Sequence, residues 1–317
     1  MNRHFMSSST RRRTECVPSP SARPVFRRLC SVTSLAAFLA VTVHTNVFAW
    51  TRTVCPSCTY KTITHALKTG DTFGAGDTII VTAGTYRERV DLINLNDGSA
   101  GNPAVIKAAG EVIIDGPDRF DDPGLWAPTS VGSNVYYAYA DTTPLNPPIS
   151  QLFINGARYK YVASIGDYAA LAPGEWAREE SQSDTIIYVN AGGTNPGNAT
   201  ALIGSNSRRN GFNVDSTDYV VIDGFTVRHT EEGIDIRGVG SSYSSLNIEG
   251  VVVKNCTSRD NWKRGIFLRN CVNCTLEDNV AYGNGGHGIY LTIDSACIIA
   301  RNRSYSNDDP TPAADPR

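Results

Sequence analysis

The chain has 317 residues, with 29 basic and 31 acidic side chains, a formal net charge of −2, 41% hydrophobic residues and 28 glycines. Residues 1–49 read as a targeting segment: Arg11, Arg12, Arg13, Arg23, Arg27 and Arg28 precede the apolar run SLAAFLAVTV, and VFA places small Ala49 at a cleavage position. Removing its seven basic residues and one glutamate takes the net charge to about −8, which argues against a general nucleic-acid binder.

Arg27-Arg28 opens a twin-arginine pattern that the following residues do not continue, so general secretory export is the expectation. No later run is long and apolar enough for a membrane span. The mature chain is therefore expected to be secreted or held at a cell surface, the periplasm included. Cys16 and Cys30 leave with the leader. Cys55, Cys58, Cys256, Cys271, Cys274 and Cys297 remain, and disulfides are the default for cysteines in an exported chain. CPSC and CVNC share C-x-x-C spacing but lie too far apart in sequence to argue for one zinc site.

Residues 50–116 run from TYKTITHALKTG through GDTIIVTAGTYRERV to VIIDG. Residues 117–206 then lose all periodicity: NVYYAYA, QLFINGARYKYVAS and TIIYVN, spaced by Pro and Gly, predict a small inserted β subdomain. Residues 207–307 repeat. VVVKNCTSRDN, CTLEDNVAYGN and CIIARNRSYSN superpose at a spacing of 23 without gaps, and VVIDGFTVRHT joins them if VGSSYSSL is a loop insertion. A unit so short cannot bury a face alone, so the coils must stack strand on strand, about 4.8 Å apart in parallel register. Phe212, Ile234, Ile266 and Ile289 then form one inward column. Asn261, Asn284 and Asn307 fall at one turn, and Asn279 and Asn302 at another, where amides hydrogen-bond along the stack. Cys274 and Cys297, one coil apart, are a stacked thiol pair or a disulfide.

Over residues 59–307 the chain resembles the right-handed parallel β-helix proteins of the pectin-lyase-like superfamily. The resemblance implies an all-β solenoid in which 50–116 form an N-terminal capping helix and first coils, 117–206 an insertion beside the substrate groove, 207–307 the regular coils and 308–317 a polar tail. It also implies an acidic polysaccharide as partner, and it is specific for fold rather than for activity.

Strand alternation sets which residues face outward. The residue before each strand glycine runs Asn210, Glu232, Arg264, His287. Two after it come Asn213, Asp235, Phe267, Tyr290, and four after it Asp215, Arg237, Arg269, Thr292. Three successive coils thus gather Glu232, Asp235, Arg237, Lys263, Arg264, Arg269, His287 and Tyr290 within about 15 Å on one open face. Its plainest reading is a solvated face of alternating salt bridges.

The chemistry that would use such a face is β-elimination on a uronic-acid polymer, which needs a cation for the carboxylate and a base for the neighbouring proton. Arg237 and Arg269 would clamp the carboxylate, Lys263, His287 or Tyr290 would take the proton, and Glu232 with Asp235 would hold calcium if calcium does the neutralising. Asp235, Arg264, Phe267, Trp126 and Trp176 are candidate substrate contacts. The tryptophans, with Tyr159 and Tyr161, either stack on sugar rings or form a core for the insert.

Hydrolysis is the alternative. EEGIDI and GGHGIYL resemble two polygalacturonase motifs, but Lys263-Arg264 stand where that family carries its paired aspartate, and inverting hydrolysis needs two carboxyls. A non-catalytic carbohydrate-binding or surface-structural solenoid is the third reading. Finally, CIIARNRSYSN stops short of the next glycine-led strand, and the tail DDPTPAADPR is too short and polar to cover an open stack. Missing coils, a partner or end-to-end self-association are the expectations.

Overall fold

Three parallel sheets wind around one apolar core, and successive coils add rungs to them. The computed structural model describes residues 49–130, 133–140, 149–163, 166–180, 185–204, 210–238 and 248–308, all in the unit Val47–Arg317. Residues 1–48, which carry the expected targeting segment with Cys16 and Cys30, and the tail from residue 309 lie outside the described residues.

The longest sheet stacks Thr51–Val54, Thr78–Tyr86, Ala104–Asp115, Val220–Arg228, Val252–Lys254, Thr275–Glu277 and Ile298–Ala300 in parallel. A second stacks Val90–Ile93, Asn210–Asp215, Glu232–Arg237, Arg264–Arg269 and Ile289–Thr292. The third is short, pairing Ile248–Glu249 with Cys271–Val272. Val252, Thr275 and Ile298 pair in turn, as do Ile266 with Ile289, so the 23-residue spacing is one coil.

The repeat works because of its corners. Gly250, Asn273 and Ala296, then Asn255, Asp278 and Arg301, then Asp260, Gly283 and Ser306 all hold φ of 50–65°. Asn, Asp and Gly enter that left-handed region at least cost, which is why they recur there. Beside the corners, side-chain amides run along the stack. Asn284 Oδ1 accepts from the backbone N–H (3.1 Å) and Nδ2 (2.9 Å) of Asn261, and Asn307 Oδ1 repeats this for Asn284 at 3.2 and 2.9 Å. Asn302 does the same for Asn279. Inside, Phe212, Ile234 and Ile266 are fully buried in one column, with Ile289 packed beneath them.

The helix Ile63–Lys68 covers the first coils. Thr62 caps it by accepting from His65 N–H, Glu88 takes the N–H groups of Ile63 and Thr64, and Ile63, Ala66 and Leu67 are buried. Beside it Cys55 and Cys58 form a disulfide. The default expectation of disulfides fails for the rest: Cys256, Cys271, Cys274 and Cys297 are free thiols. Cys256, Cys271 and Cys274 are fully or almost fully buried and serve as small core residues, so Cys274 and Cys297 are stacked thiols.

Between Asp115 and Asn210 the chain leaves the coils for two mainly antiparallel sheets, with Lys160–Tyr161 joined in parallel to Glu175–Glu180. One orders Lys160–Tyr161, Glu175–Glu180, Thr185–Asn190, Val135–Ala140 and Ala127–Pro128. The other orders Asp118–Arg119, Ala201–Gly204, Gln151–Ile154 and Ala157–Arg158. This insert clasps the coils just ahead of the second sheet. Gln151 Nε2 donates to Thr230 O (3.0 Å), Phe153 lies 4.0 Å from the His229 ring, and Arg158 reaches the carbonyls of Asn261 and Gly283. His229 in turn donates to buried Asp115 at 2.9 Å, and Arg228 donates to its other oxygen. Among the described residues no helix is long and apolar enough to cross a membrane.

Candidate functional site

The second sheet turns its outward face into a concavity of about 410 Å³, lined by Asn210, Glu231, Glu232, Arg237, Lys263, Arg264, Phe267 and Arg269. Register builds it. Glu232 pairs with Arg264, Asp235 with Phe267, Arg237 with Arg269, and Phe267 with Tyr290 on the next coil. The glycines before each inward column are needed for closeness, since a Cβ at Gly233 would collide with Ser258 Oγ and the Gly265 carbonyl.

Acids form the floor and bases the rim. Lys263 Nζ meets Glu231 Oε1 at 2.7 Å and Arg264 Nη1 meets Glu232 Oε1 at 2.8 Å. Arg237 Nε meets Asp235 Oδ1 at 2.8 Å, and Asn210 donates to Asp235 Oδ2 at 2.7 Å. The Arg237, Lys263 and Arg264 side chains are 43%, 37% and 29% exposed, against 6%, 4% and 1% for Glu231, Glu232 and Asp235. An approaching ligand therefore meets cations first. Burial pushes the Glu232 carboxyl up to about 7 despite Arg264, and raises Asp235 despite Arg237.

Several expected roles change in this geometry. Asp235 lies beneath the surface, so it positions Arg237 rather than touching substrate. The Phe267 ring is only 5% exposed because the guanidiniums of Arg264 (4.4 Å) and Arg237 (5.1 Å) lie over it, which closes it to a sugar. Trp126 and Trp176 belong to the insert's own core. They are 4% and 1% exposed, and their indole N–H groups donate to Phe120 and Tyr159 carbonyls, so neither stacks on a ligand. Tyr159 and Tyr161 pack against that core as well. His287 and Tyr290 stack on each other at 4.9 Å just outside the concavity, with Tyr290 5.0 Å from the Arg264 guanidinium.

Glu232 and Asp235 do not fit calcium. Three of their four oxygens already accept guanidinium or amide hydrogens, and two guanidiniums occupy the space a divalent cation would need. Glu231 is the site residue that the sequence reading missed, and Asn210, placed in the outward column, was given no role. The offset of 32 that aligns Glu232 with Arg264 also aligns Glu231 with Lys263, so the EE and KR pairs carried the signal.

Residues 185–311 match the family described as the right handed beta helix region. By structure the chain is similar to XylC in its complex with xylose, with a TM-score of 0.62 and 17% identity over 78% of this chain and 51% of that one. The chain folds as a right-handed parallel β-helix. A likeness to the A-module of the mannuronan C-5 epimerase AlgE4 of Azotobacter vinelandii, at TM-score 0.30 and 15% identity over 74% of this chain and 50% of that one, carries no argument. The chain spans about half the length of each of these two. No curated protein matches it.

Proposed function

We propose that this β-helix binds an acidic polysaccharide across its second sheet and cleaves it by β-elimination. The observation that carries the reading is the exposed cationic rim over a buried acidic floor, which selects an anion and holds its own side chains in place through ion pairs. Arg237, Arg264 and Arg269 take the uronate carboxylate, while Lys263 adds charge from the Glu231 side. The His287 imidazole accepts the proton from the carbon beside the carboxylate, imidazole being the side chain suited to proton exchange near neutrality. The electron pair forms the new C=C bond and the glycosidic C–O bond breaks, with the Tyr290 hydroxyl returning a proton to the leaving oxygen. Hydrolysis is disfavoured because it needs two reachable carboxyls, and those of the concavity are at most 6% exposed.

The test is digestion of pectate, alginate and glycosaminoglycans by the purified protein and by Arg264→Ala and His287→Ala. Elimination yields an ultraviolet-absorbing unsaturated product, with turnover lowered about 100-fold or more in either variant. New reducing ends without that absorbance would replace elimination by hydrolysis. Binding without either product would leave a carbohydrate-binding solenoid.

A further inference from the structure

The concavity on the second sheet has a direction. Asn210 comes from one coil, Glu232 and Arg237 from the next, and Arg264 and Arg269 from the one after. The insert walls one side along the same line, since Gln151 holds the Thr230 carbonyl while Arg158 reaches those of Asn261 and Gly283, one coil after another. A polymer laid beside that wall crosses the strands and runs along the stack. Each coil advances by about 4.8 Å, close to the step of one sugar in an extended chain, so successive sugars meet successive coils.

Positive charge along that path is confined. Arg237 and Arg269 are register partners on adjacent strands, and Lys263 and Arg264 join them, so the cations of the concavity stand on two coils only. Toward the N-terminus the column through Arg237 continues with Asp215 and then Ile93. Asp215 is half-buried, its carboxylate accepts from Ser216 Oγ at 2.8 Å, and no cation among the described residues pairs with it. On the coil beyond, Arg89 is spent on Asp91 at 2.8 and 2.9 Å, and Asn213 donates to the other oxygen of Asp91 at 3.0 Å, so that coil adds no net charge. Toward the C-terminus the same columns end in Tyr290 and Thr292, with neither a guanidinium nor an ammonium. The cationic band is therefore one coil step wide. It can neutralise the carboxylate of one sugar, and a carboxylate on the next sugar toward the N-terminus would face Asp215.

We infer that the groove selects a polymer in which uronate alternates with an uncharged sugar, the uronate lying on the cationic band and its neighbour against Asp215, and that Asp215 rejects polyuronates by repelling their second carboxylate. The inference rests on the reading of the concavity as an acidic-polysaccharide site, and it stands whether or not that site is catalytic.

Calorimetric titration of the full chain with four hexasaccharides tests it. Two alternate, from hyaluronan and from unsulfated chondroitin, and two are polyuronates, from pectate and from polymannuronate. At least one of the alternating pair should bind about tenfold or more tightly than either polyuronate. Asp215→Asn keeps the shape of the side chain and an oxygen for Ser216. It should raise the affinity for polyuronates about threefold or more and change that for the alternating sugars less than about twofold. A polyuronate that binds as tightly as the better alternating sugar overturns the inference, as does an Asp215→Asn variant that shifts both kinds alike or neither. If none of the four binds, the acidic-polysaccharide reading itself falls and takes this inference with it.

Discussion

The coils and the insert solve the same problem in opposite ways. In the coils from Asn210 onward no unit has a core of its own, so stability comes from neighbours: each asparagine ladder and each inward isoleucine is satisfied by the coil above and below. The insert is mainly antiparallel, non-repeating and built around private cores, with Trp126, Trp176, Leu152 and Ile187 in the larger one. A defect in the first should spread along the stack, whereas a defect in the second should stay where it is made.

Asn284→Leu should give the largest effect. The Asn284 side chain is fully buried, accepts twice from Asn261 and donates to Ser258 O and Asn307 Oδ1, so its loss leaves buried donors and acceptors unpaired in two neighbouring coils. A cost of about 4–5 kcal/mol is expected by chemical denaturation, with protection lost from coils on both sides in hydrogen exchange. Loss confined to one coil would break the comparison.

Trp176→Ala should cost slightly less, about 3–4 kcal/mol, by emptying the centre of the insert core. Hydrogen exchange should rise in Glu175–Glu180 and Thr185–Asn190 while Thr275–Glu277 and Ile298–Ala300 keep their protection. If the coils melt with it, the insert is a structural part of the stack and not a passenger on it.

The same contrast explains what was legible. A ladder with a fixed spacing announces itself, since Asn261, Asn284 and Asn307 can share a turn only if the coils stack, and from that register the outward column of Asp235, Phe267 and Tyr290 followed. What the register does not give is depth. That Asp235 points out of the core says nothing about Arg237 and Asn210 closing over it, or about two guanidiniums covering Phe267. The insert was legible only as β. Nothing in its spacing says that Trp126 and Trp176 face inward while Tyr137 and Tyr139 face water, because without a repeat each strand's facing must be learned from its partners.

A smaller effect belongs to the coils and runs through charge. Protonated Glu232 leaves the concavity one unit more positive, and its carboxyl titrates at about 7, so an anionic oligosaccharide should bind about threefold more tightly at pH 6 than at pH 8. Glu232→Gln should flatten that dependence when affinity is measured by titration with a uronate oligosaccharide. A dependence that survives the substitution would place the titrating group elsewhere.

The smallest effect is on stability, and it has opposite signs at the clasp between insert and coils and at the concavity. His229, where the insert clasps the coils, is held below its ordinary 6.5 because burial outweighs the pull of Asp115. The unfolded chain therefore takes up that proton first, and the stability from neutral His229 is complete above about pH 6.5 and is lost as pH falls. Glu232 is raised from 4.5 to about 7, so the folded chain takes up its proton first, and stability falls as pH rises across that interval. Below about pH 6.5 the two slopes oppose each other, so a global denaturation midpoint should change less with pH than Glu232 alone would make it. His229→Asn separates them. Asparagine tolerates the φ of 59° at this position and can still donate to Asp115, but it carries no titrating proton. The variant should show the Glu232 slope alone, losing about 2 kcal/mol as pH rises from about 4.5 to about 6.5, while strand Gln151–Ile154 no longer loses exchange protection on acidification. If the variant keeps the parent's profile, His229 does not titrate against folding, and the clasp between insert and coils is insensitive to pH.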